Sequence, residues 1–373
     1  MSLDEALLRP WRLLPNRVNR FYRGGGLIDE LRGDPDSGDG DRPEDWVGSA
    51  TRAWTPPGAP ATEEGLSDAE IGGRRYRVAD LLAADAAAIV GPGLVAAAGS
   101  TPGVLVKLLD AAVRLPVHAH PARAFARRHL GSFFGKAEAW VVAGTRDAGD
   151  PLGPGVWLGF GRPFGREQLL EVIERQDTEA LLAAMHRRAT KPGDVWFVPP
   201  GTPHAIGAGV FIVEIQEPSD FSIVAETRDL PVDREAAHLG LGWEVAVDAI
   251  ERDATDHASV DRLRHDGRRD PVRGDGWTRA PLTDAPADPF FRAERLEVRG
   301  SAHAPWPDAS WLVGVVMDGR GRVSAGGGSL DLARGATFGI PAAVVPDLAF
   351  DAPDGLELIA CRPPDPGQLD RWR

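Results

Sequence analysis

Apolar residues along the chain recur mostly at the two-residue period of strands, in short runs separated by glycine and proline turns. Gly103 to Pro116 becomes strand-like and ends in Val117-His118-Ala119-His120-Pro121, while Ala137 to Ala143 and Val156 to Phe160 predict further strands. Val195 to Val198 and Gly209 to Gln216 are short, apolar and β-branched, and predict adjacent strands joined by the Pro-Gly turn that carries His204. Helical spacing interrupts this pattern twice. Val78 to Ala88 is alanine-rich and predicts a short helix, and Glu167 to Arg188 places Leu, Val and Ile three and four apart with Glu and Arg opposite, predicting an amphipathic helical insertion. Gly33 to Arg42 is acidic and reads as a loop.

Beyond residue 250 the pattern changes. Residues 251 to 288 are polar, rich in Asp, Arg and Pro, and nearly aperiodic, which predicts a linker. From Phe290 onward, Phe290–Val298, Trp311–Met317, Gly321–Ser324, Ser329–Leu332, Thr337–Pro341 and Leu348–Phe350 alternate with glycine turns, as in a small β-sandwich. The expected organisation is therefore mainly β: a first domain over 1–250 with a helical insertion near 167–188, a linker over 251–288, and a smaller β domain over 289–373.

Composition narrows the function. The 373 residues suffice for two cores, and 43% hydrophobic and 26% charged residues are ordinary for a globular protein. A net charge of −13 argues against nucleic acid and anionic membrane as partners. The single cysteine, Cys361, excludes an intrachain disulfide framework and fits a reducing cytoplasm. Met1 to Asn19 lacks the apolar centre of a signal peptide, and no run approaches the roughly 18 apolar residues of a membrane span, so a cytoplasmic protein is expected.

Candidate chemistry concentrates in two stretches. In a strand, residues two apart share a face about 6.6 Å apart, so His118 and His120 can converge on one ion beside Glu138 and His204. Three imidazoles and a carboxylate suit Zn, Fe, Mn, Co or Ni and argue against Ca or Mg. His129, His186, His238, His257, His265 and His303 sit in no such context and read as surface or core histidines. Glu214 and Gln216 share one face of an apolar strand, where a carboxylate is costly unless paired or protonated; Glu214 is therefore a candidate acid or base. Lys136 lies two residues from Glu138 and can approach the same ion's ligand.

The His-x-His strand, the later Glu, and the Gly193-Asp194 to His204 turn resemble the two metal-binding segments of a cupin. More narrowly, Gly135 to Trp140, Pro192 to Gly207 and Glu214-Ile215-Gln216-Glu217-Pro218-Ser219-Asp220 resemble the class I mannose-6-phosphate isomerases, with Gly24 to Leu27 and Glu44 to Ser49 resembling their opening strands. The resemblance runs from about Phe21 to about Ile250, with a weaker cupin-like echo after it. It implies a jelly-roll barrel followed by a second, smaller cupin-like domain. It further implies one divalent transition metal, zinc foremost, on His118, His120, Glu138 and His204; catalytic roles for Lys136 and Glu214; and substrate contact by Lys107. The partner it implies is a small sugar or sugar phosphate, with mannose 6-phosphate and fructose 6-phosphate as the implied pair. An isomerase of an unphosphorylated sugar, a cupin oxygenase and a sugar-binding regulatory protein stand as alternatives.

The chain departs from the family pattern at identifiable positions. His118 stands where the family has Gln, Pro116 where it has Ser, and Val224 where it has Arg four residues after Asp220; Arg228 is near enough in sequence to substitute. In the second domain, Gly335 to Ala342 repeats the logic of Gly193 to Pro199, but Pro346 takes the place of His204, so that domain is expected to bind no metal.

Overall fold

The computed structural model describes residues 3–34, 38–267, 269–303 and 306–369. Three antiparallel sheets organise the chain. A seven-stranded sheet runs in the spatial order Arg264–Asp266, Asp194–Val198, Glu138–Thr145, Val210–Gln216, Leu105–Ala111, Glu44–Val47 and Arg17–Val18. A five-stranded sheet runs in the order Met185–Ala189, Gly155–Phe160, His204–Ile206, His118–Ala119 and Ile223–Val224. The two close on each other as a jelly-roll barrel. Their inward residues meet in one cluster that joins Leu109, Trp140, Val142, Trp196 and Ile212 to Val156, Leu158 and Ile206.

Alternation explains why the strands of the larger sheet look apolar throughout. Residues facing the barrel are Trp46, Lys107, Glu214, Trp140 and Trp196, which lie opposite one another in one row across the sheet. Their chain neighbours, including Val106, Leu108, Ala139, Val141, Val195, Phe197, Val213 and Ile215, point to the other side and join the core shared with the C-terminal body. A strand buried on both faces loses the clean alternation of a half-exposed one. The smaller sheet is covered on its outer side by Arg166–Arg175 and Thr178–Ala184, whose Leu169, Leu170, Ile173 and Leu181 pack on Val117, Ala119, Trp157 and Ala205.

The helical insertion expected near 167–188 is two helices, and its last residues belong to the strand Met185–Ala189, paired with Gly155–Phe160. The short helix expected over 78–88 is likewise broken, into Val78–Ala84 and Ala86–Val90, with Asp85 between them accepting from the Ala88 amide. Asp194–Val198 and Val210–Gln216 do not pair with each other, contrary to expectation. Both pair with Glu138–Thr145, one on each side, and the turn after Val198 crosses to the other sheet to form His204–Ile206. Of the acidic loop over 33–42, residues 35–37 lie outside the described residues.

The third sheet has ten strands and holds the C-terminal body. Leu312–Ala325 is one long strand rather than the two read from sequence. The glycines taken for a turn form a bulge, with Gly319 at φ 80 and the register shifting beside it. The final strand, Ala349–Arg362, also runs far beyond the stretch read from sequence.

Two features cross the expected domain boundaries. The 251–288 segment, read as a linker, contains Arg264–Asp266, which extends the seven-stranded sheet, and Val272–Gly274 and Trp277–Pro281, which extend the ten-stranded one. Arg264–Asp266 and Val272–Gly274 are edge strands, where one edge meets water, and Trp277–Pro281 lies next to the edge. At the other end, Trp11–Leu13, Asp68–Ile71 and Arg74–Arg77 join the C-terminal sheet, with Trp11 opposite Gly339. Arg123 adds a further tie: its Nε donates to Glu217 and its Nη2 to the Pro289 carbonyl.

Candidate metal centre and active site

The barrel's interior is divided. One part is apolar; the other gathers charged side chains from both sheets. His118 and His204 lie directly opposite each other in the smaller sheet, and His120 follows two residues after His118, just past the end of the strand His118–Ala119. The turn that delivers His204 is pinned over His120 by the Gly201 amide donating to the His120 carbonyl at 2.7 Å. Gly135 lets the chain between His120 and Glu138 fold tightly, because a Cβ there would lie 2.4 Å from the Pro121 carbonyl oxygen, to which the Lys136 amide donates.

His118, His120 and His204 offer ring nitrogens that all lie within 4.8 Å of one another. Glu138, from the larger sheet, reaches the same point, with Oε1 2.9 Å from His120 Nε2 and Oε2 3.8 Å from His204 Nε2. Trp140 Nε1 donates to Glu138 Oε2 at 3.0 Å and fixes its orientation. Each imidazole uses Nδ1 on a backbone carbonyl: His118 on Pro116, His120 on Phe221 and His204 on Thr202. The Nδ1 proton is thereby committed, and the Nε2 lone pairs are left to converge.

The charges of the cluster favour a cation. Burial, then the neighbouring His204, pushes His118 well below the usual imidazole range. Burial and Lys136 take His120 down to about 3, and burial and His120 take His204 down to about 3. Burial alone would raise Glu138, but Lys136 and His120 hold it well below the usual carboxylate range. Neutral imidazoles beside an ionised carboxylate are a ready donor set for a divalent transition metal. His204 Nε2 is buried without a hydrogen-bond partner, and Glu138 Oε1 lies 2.9 Å from both His120 Nε2 and Lys136 Nζ. A buried, unpartnered imidazole nitrogen beside an ionised carboxylate fits a metal held there by these four residues.

Beside this group lies a second one. Lys107 Nζ is 3.3 Å from Glu214 Oε2, 3.5 Å from Glu44 Oε2 and 4.0 Å from Asp220 Oδ1. Arg20 binds Glu44 through Nε at 3.0 Å and Asp220 through both terminal nitrogens. Tyr22 Oη and Trp46 Nε1 donate to Glu44 at 2.6 and 2.7 Å. Three carboxylates thus share two cations. Glu44 and Asp220 contact both cations and, against the effect of burial, stay low, chiefly through Arg20 and then Lys107. Glu214 has only a share of Lys107, its Oε2 lacks a hydrogen bond, and burial, followed by the charge of Glu138, pushes it up to about 7.

His118, Glu138 and Lys136 from the first group and Lys107, Glu214, Glu44, Asp220, Arg20 and Tyr22 from the second line one cavity of about 230 Å³, below the ~300–1,000 Å³ of drug-sized sites and suited to a small ligand. The structure brings together all seven residues singled out from sequence: His118, His120, Glu138, His204, Lys136, Glu214 and Lys107. Sequence reasoning missed Arg20, Tyr22 and Glu44, and assigned no role to Asp220. Glu44 and Asp220 stand inside the quoted family-like segments, the one available signal; Arg20 and Tyr22 lie in irregular chain with no motif. Arg228, considered as a stand-in cation, is exposed and donates to the Arg175 carbonyl instead.

No family model matches the chain. It is 28% identical over 239 residues to probable mannose-6-phosphate isomerase GmuF of Bacillus subtilis, covering 64% of this chain and 69% of that protein. It is also 28% identical over 224 residues to the mannose-6-phosphate isomerase of Streptococcus mutans, covering 60% and 63%. Among solved structures, the mannose 6-phosphate isomerase of Bacillus subtilis superposes with a TM-score of 0.68 at 22% identity, over 95% of this chain and 99% of that one. A mannose 6-phosphate isomerase bound with zinc and yttrium gives a TM-score of 0.64 at 14% identity, over 94% and 98%. No helix among the described residues is long and apolar enough to cross a membrane. The sequence matches and the shared architecture agree: the chain is a homologue of the mannose-6-phosphate isomerases, which are intramolecular oxidoreductases, and it has their cupin-type fold.

Proposed function

We propose that the chain is a metal-dependent aldose–ketose isomerase that interconverts an aldose with its 2-ketose, the relatives' names pointing to mannose 6-phosphate and fructose 6-phosphate or a closely related sugar. The observation that carries this reading is a carboxyl group poised near neutral pH, Glu214, in the same small cavity as a three-imidazole, one-carboxylate cluster.

The reaction moves hydrogen from carbon 2 to carbon 1 of the open-chain sugar through an enediol. A divalent transition metal, zinc foremost, held by His118, His120, Glu138 and His204 would polarise the sugar oxygens beside it. Glu214 as carboxylate takes the proton from carbon 2 and as carboxylic acid returns it to carbon 1, while the oxygen on carbon 1 gains the proton that the hydroxyl on carbon 2 gives up, so the group ends as it began. A pKa near the working pH suits both halves of that task. Lys136, its ammonium 2.9 Å from Glu138 Oε1, presents a fixed positive charge toward the oxygens on which negative charge develops. Lys107 and Arg20 hold Glu44 and Asp220 in place behind the reacting carboxylate and keep it from being one uncompensated charge among three.

The test is incorporation of solvent deuterium into recovered sugar by the metal-loaded protein. Label at carbon 1 of the ketose and carbon 2 of the aldose is expected, and Glu214→Gln is expected to lower the rate by roughly 10²–10⁴-fold. Unlabelled sugar with no isomer formed, across hexoses and hexose phosphates, overturns the reading.

A further inference from the structure

We infer that the cavity takes an unphosphorylated sugar, its end remote from the reacting carbons lying on an apolar wall. This inference deepens the isomerase reading proposed above and rests on it for the chemistry, though not for the binding.

The argument begins with the cations. A phosphate dianion in a buried site needs donors that are free to face it, above all arginine or lysine. Among the described residues lining the cavity the cations are Arg20, Lys107 and Lys136, and each already touches carboxylate. Arg20 is held between Glu44 and Asp220, Lys107 among Glu44, Glu214 and Asp220, and Lys136 against Glu138. Four buried carboxylates therefore face three cations, and Asp233 adds a further acidic group to the lining. A metal ion on the imidazole cluster would share Glu138 with Lys136, whose Nζ also lies 3.2 Å from His120 Nε2, so that ion and that lysine both belong to the reacting end. A phosphate would have to break an internal pair, leaving a buried carboxylate uncompensated, which costs more than a charge-assisted contact returns.

The rest of the lining is built for something uncharged. Pro116 and Val224 flank His118, one two residues before it in the chain and the other paired opposite it across the strands, and Pro231, Val232 and Leu239 continue the wall. The neighbouring basic residues turn away: Arg114 is bound twice by Glu226, and Arg228 donates to the Arg175 carbonyl. Ser222 is the one neutral hydroxyl in that part of the lining. A sugar's methyl end meets no penalty there, and a hydroxyl end has Ser222 to pair with.

The experiment uses the metal-loaded full chain in two parallel measurements. Isomerisation of D-mannose is compared with that of D-mannose 6-phosphate, and calorimetric binding of the unreactive D-mannitol is compared with that of D-mannitol 6-phosphate. Neutral forms are expected to be preferred by at least about tenfold in kcat/KM and in Kd, the loss that one forfeited charged contact predicts. Val224→Arg is expected to move both preferences at least about tenfold toward the phosphorylated forms. If neither sugar turns over but mannitol binds more tightly than its phosphate, the isomerase reading fails and this inference stands. Preference for the phosphorylated form in either measurement, or no binding of either polyol at millimolar concentration, overturns it. A folded Val224→Arg protein whose preference does not move overturns the assignment of the sugar's remote end to this wall.

Discussion

The chain contains two β bodies of similar construction and opposite interiors. In the C-terminal body the inward positions are Leu296, Val298, Leu312, Val316, Phe338, Ile340, Phe350 and Leu358, all apolar. In the first barrel the equivalent kind of position, one face of each strand, carries Lys107, Glu138, Glu214 and His204 beside Trp46, Trp140 and Trp196. The second interior is a filler of space. The first gives up packing energy on one side to hold charges away from water, and every one of those charges must be answered by another group or a ligand. A shared architecture thus says little about what an interior does; the residue types on the inward face decide it.

The largest expected contrast between the two bodies is in metal content. His204→Ala should reduce bound metal from about one ion per chain to near zero, because a site of three imidazoles and one carboxylate relies on every ligand; full occupancy by elemental analysis would remove His204 from the site. Phe338→Ala, deep in the apolar interior, should destabilise the fold by about 3–5 kcal/mol. Its metal stoichiometry should stay as in the unmutated chain, and parallel loss of metal would mean that the two interiors are not independent.

Lys107→Met should cost a similar amount, about 3–5 kcal/mol at pH 7, but for a different reason. It leaves Glu44, Glu214 and Asp220 with Arg20 alone. That cost should shrink as acid neutralises Glu214, whereas the cost of Phe338→Ala should hardly vary with pH; equal pH profiles for the two variants would refute the distinction drawn here.

The smallest effect is a slope. Glu214 rises from 4.5 unfolded to about 7 folded, so its favourable contribution is complete below about pH 4.5 and is lost as pH rises through about 7. Denaturant titrations of metal-free protein should therefore show up to about 3 kcal/mol of declining stability across that window, and Glu214→Gln should flatten it. A variant with the unmutated slope would assign the titration to another group.

The same contrast explains what could be read from the chain in advance. The four residues of the candidate metal centre could be picked out because their signals are local: a two-residue period at His118 and His120, a Pro-Gly turn before His204, and a short segment around Glu138. Strands inside the first barrel were legible for the same reason. Arg20 was not, because its meaning depends on Asp220 and Glu44 reaching it from other strands, and nothing within a few residues of Arg20 registers that. The 251–288 segment misled because edge strands tolerate polar residues on their open side, so their period is weak. Met185–Ala189 was absorbed into the preceding helical pattern for want of any local stop, and only its pairing with Gly155–Phe160 makes it a strand.

The strand Trp11–Leu13 carries a consequence for how the molecule assembles. It lies against Thr337–Ile340, so a segment made earlier finds its place only when one 324 residues further along has emerged. Contacts of such sequence separation are slow to close and leave intermediate states with an open β edge. During synthesis, the edge of Thr337–Ile340 that Trp11–Leu13 covers is the place where nascent copies would pair with one another. Removing the first fourteen residues, none of which lines the cavity, should accordingly show itself as concentration-dependent aggregation on refolding before it shows as any change in turnover.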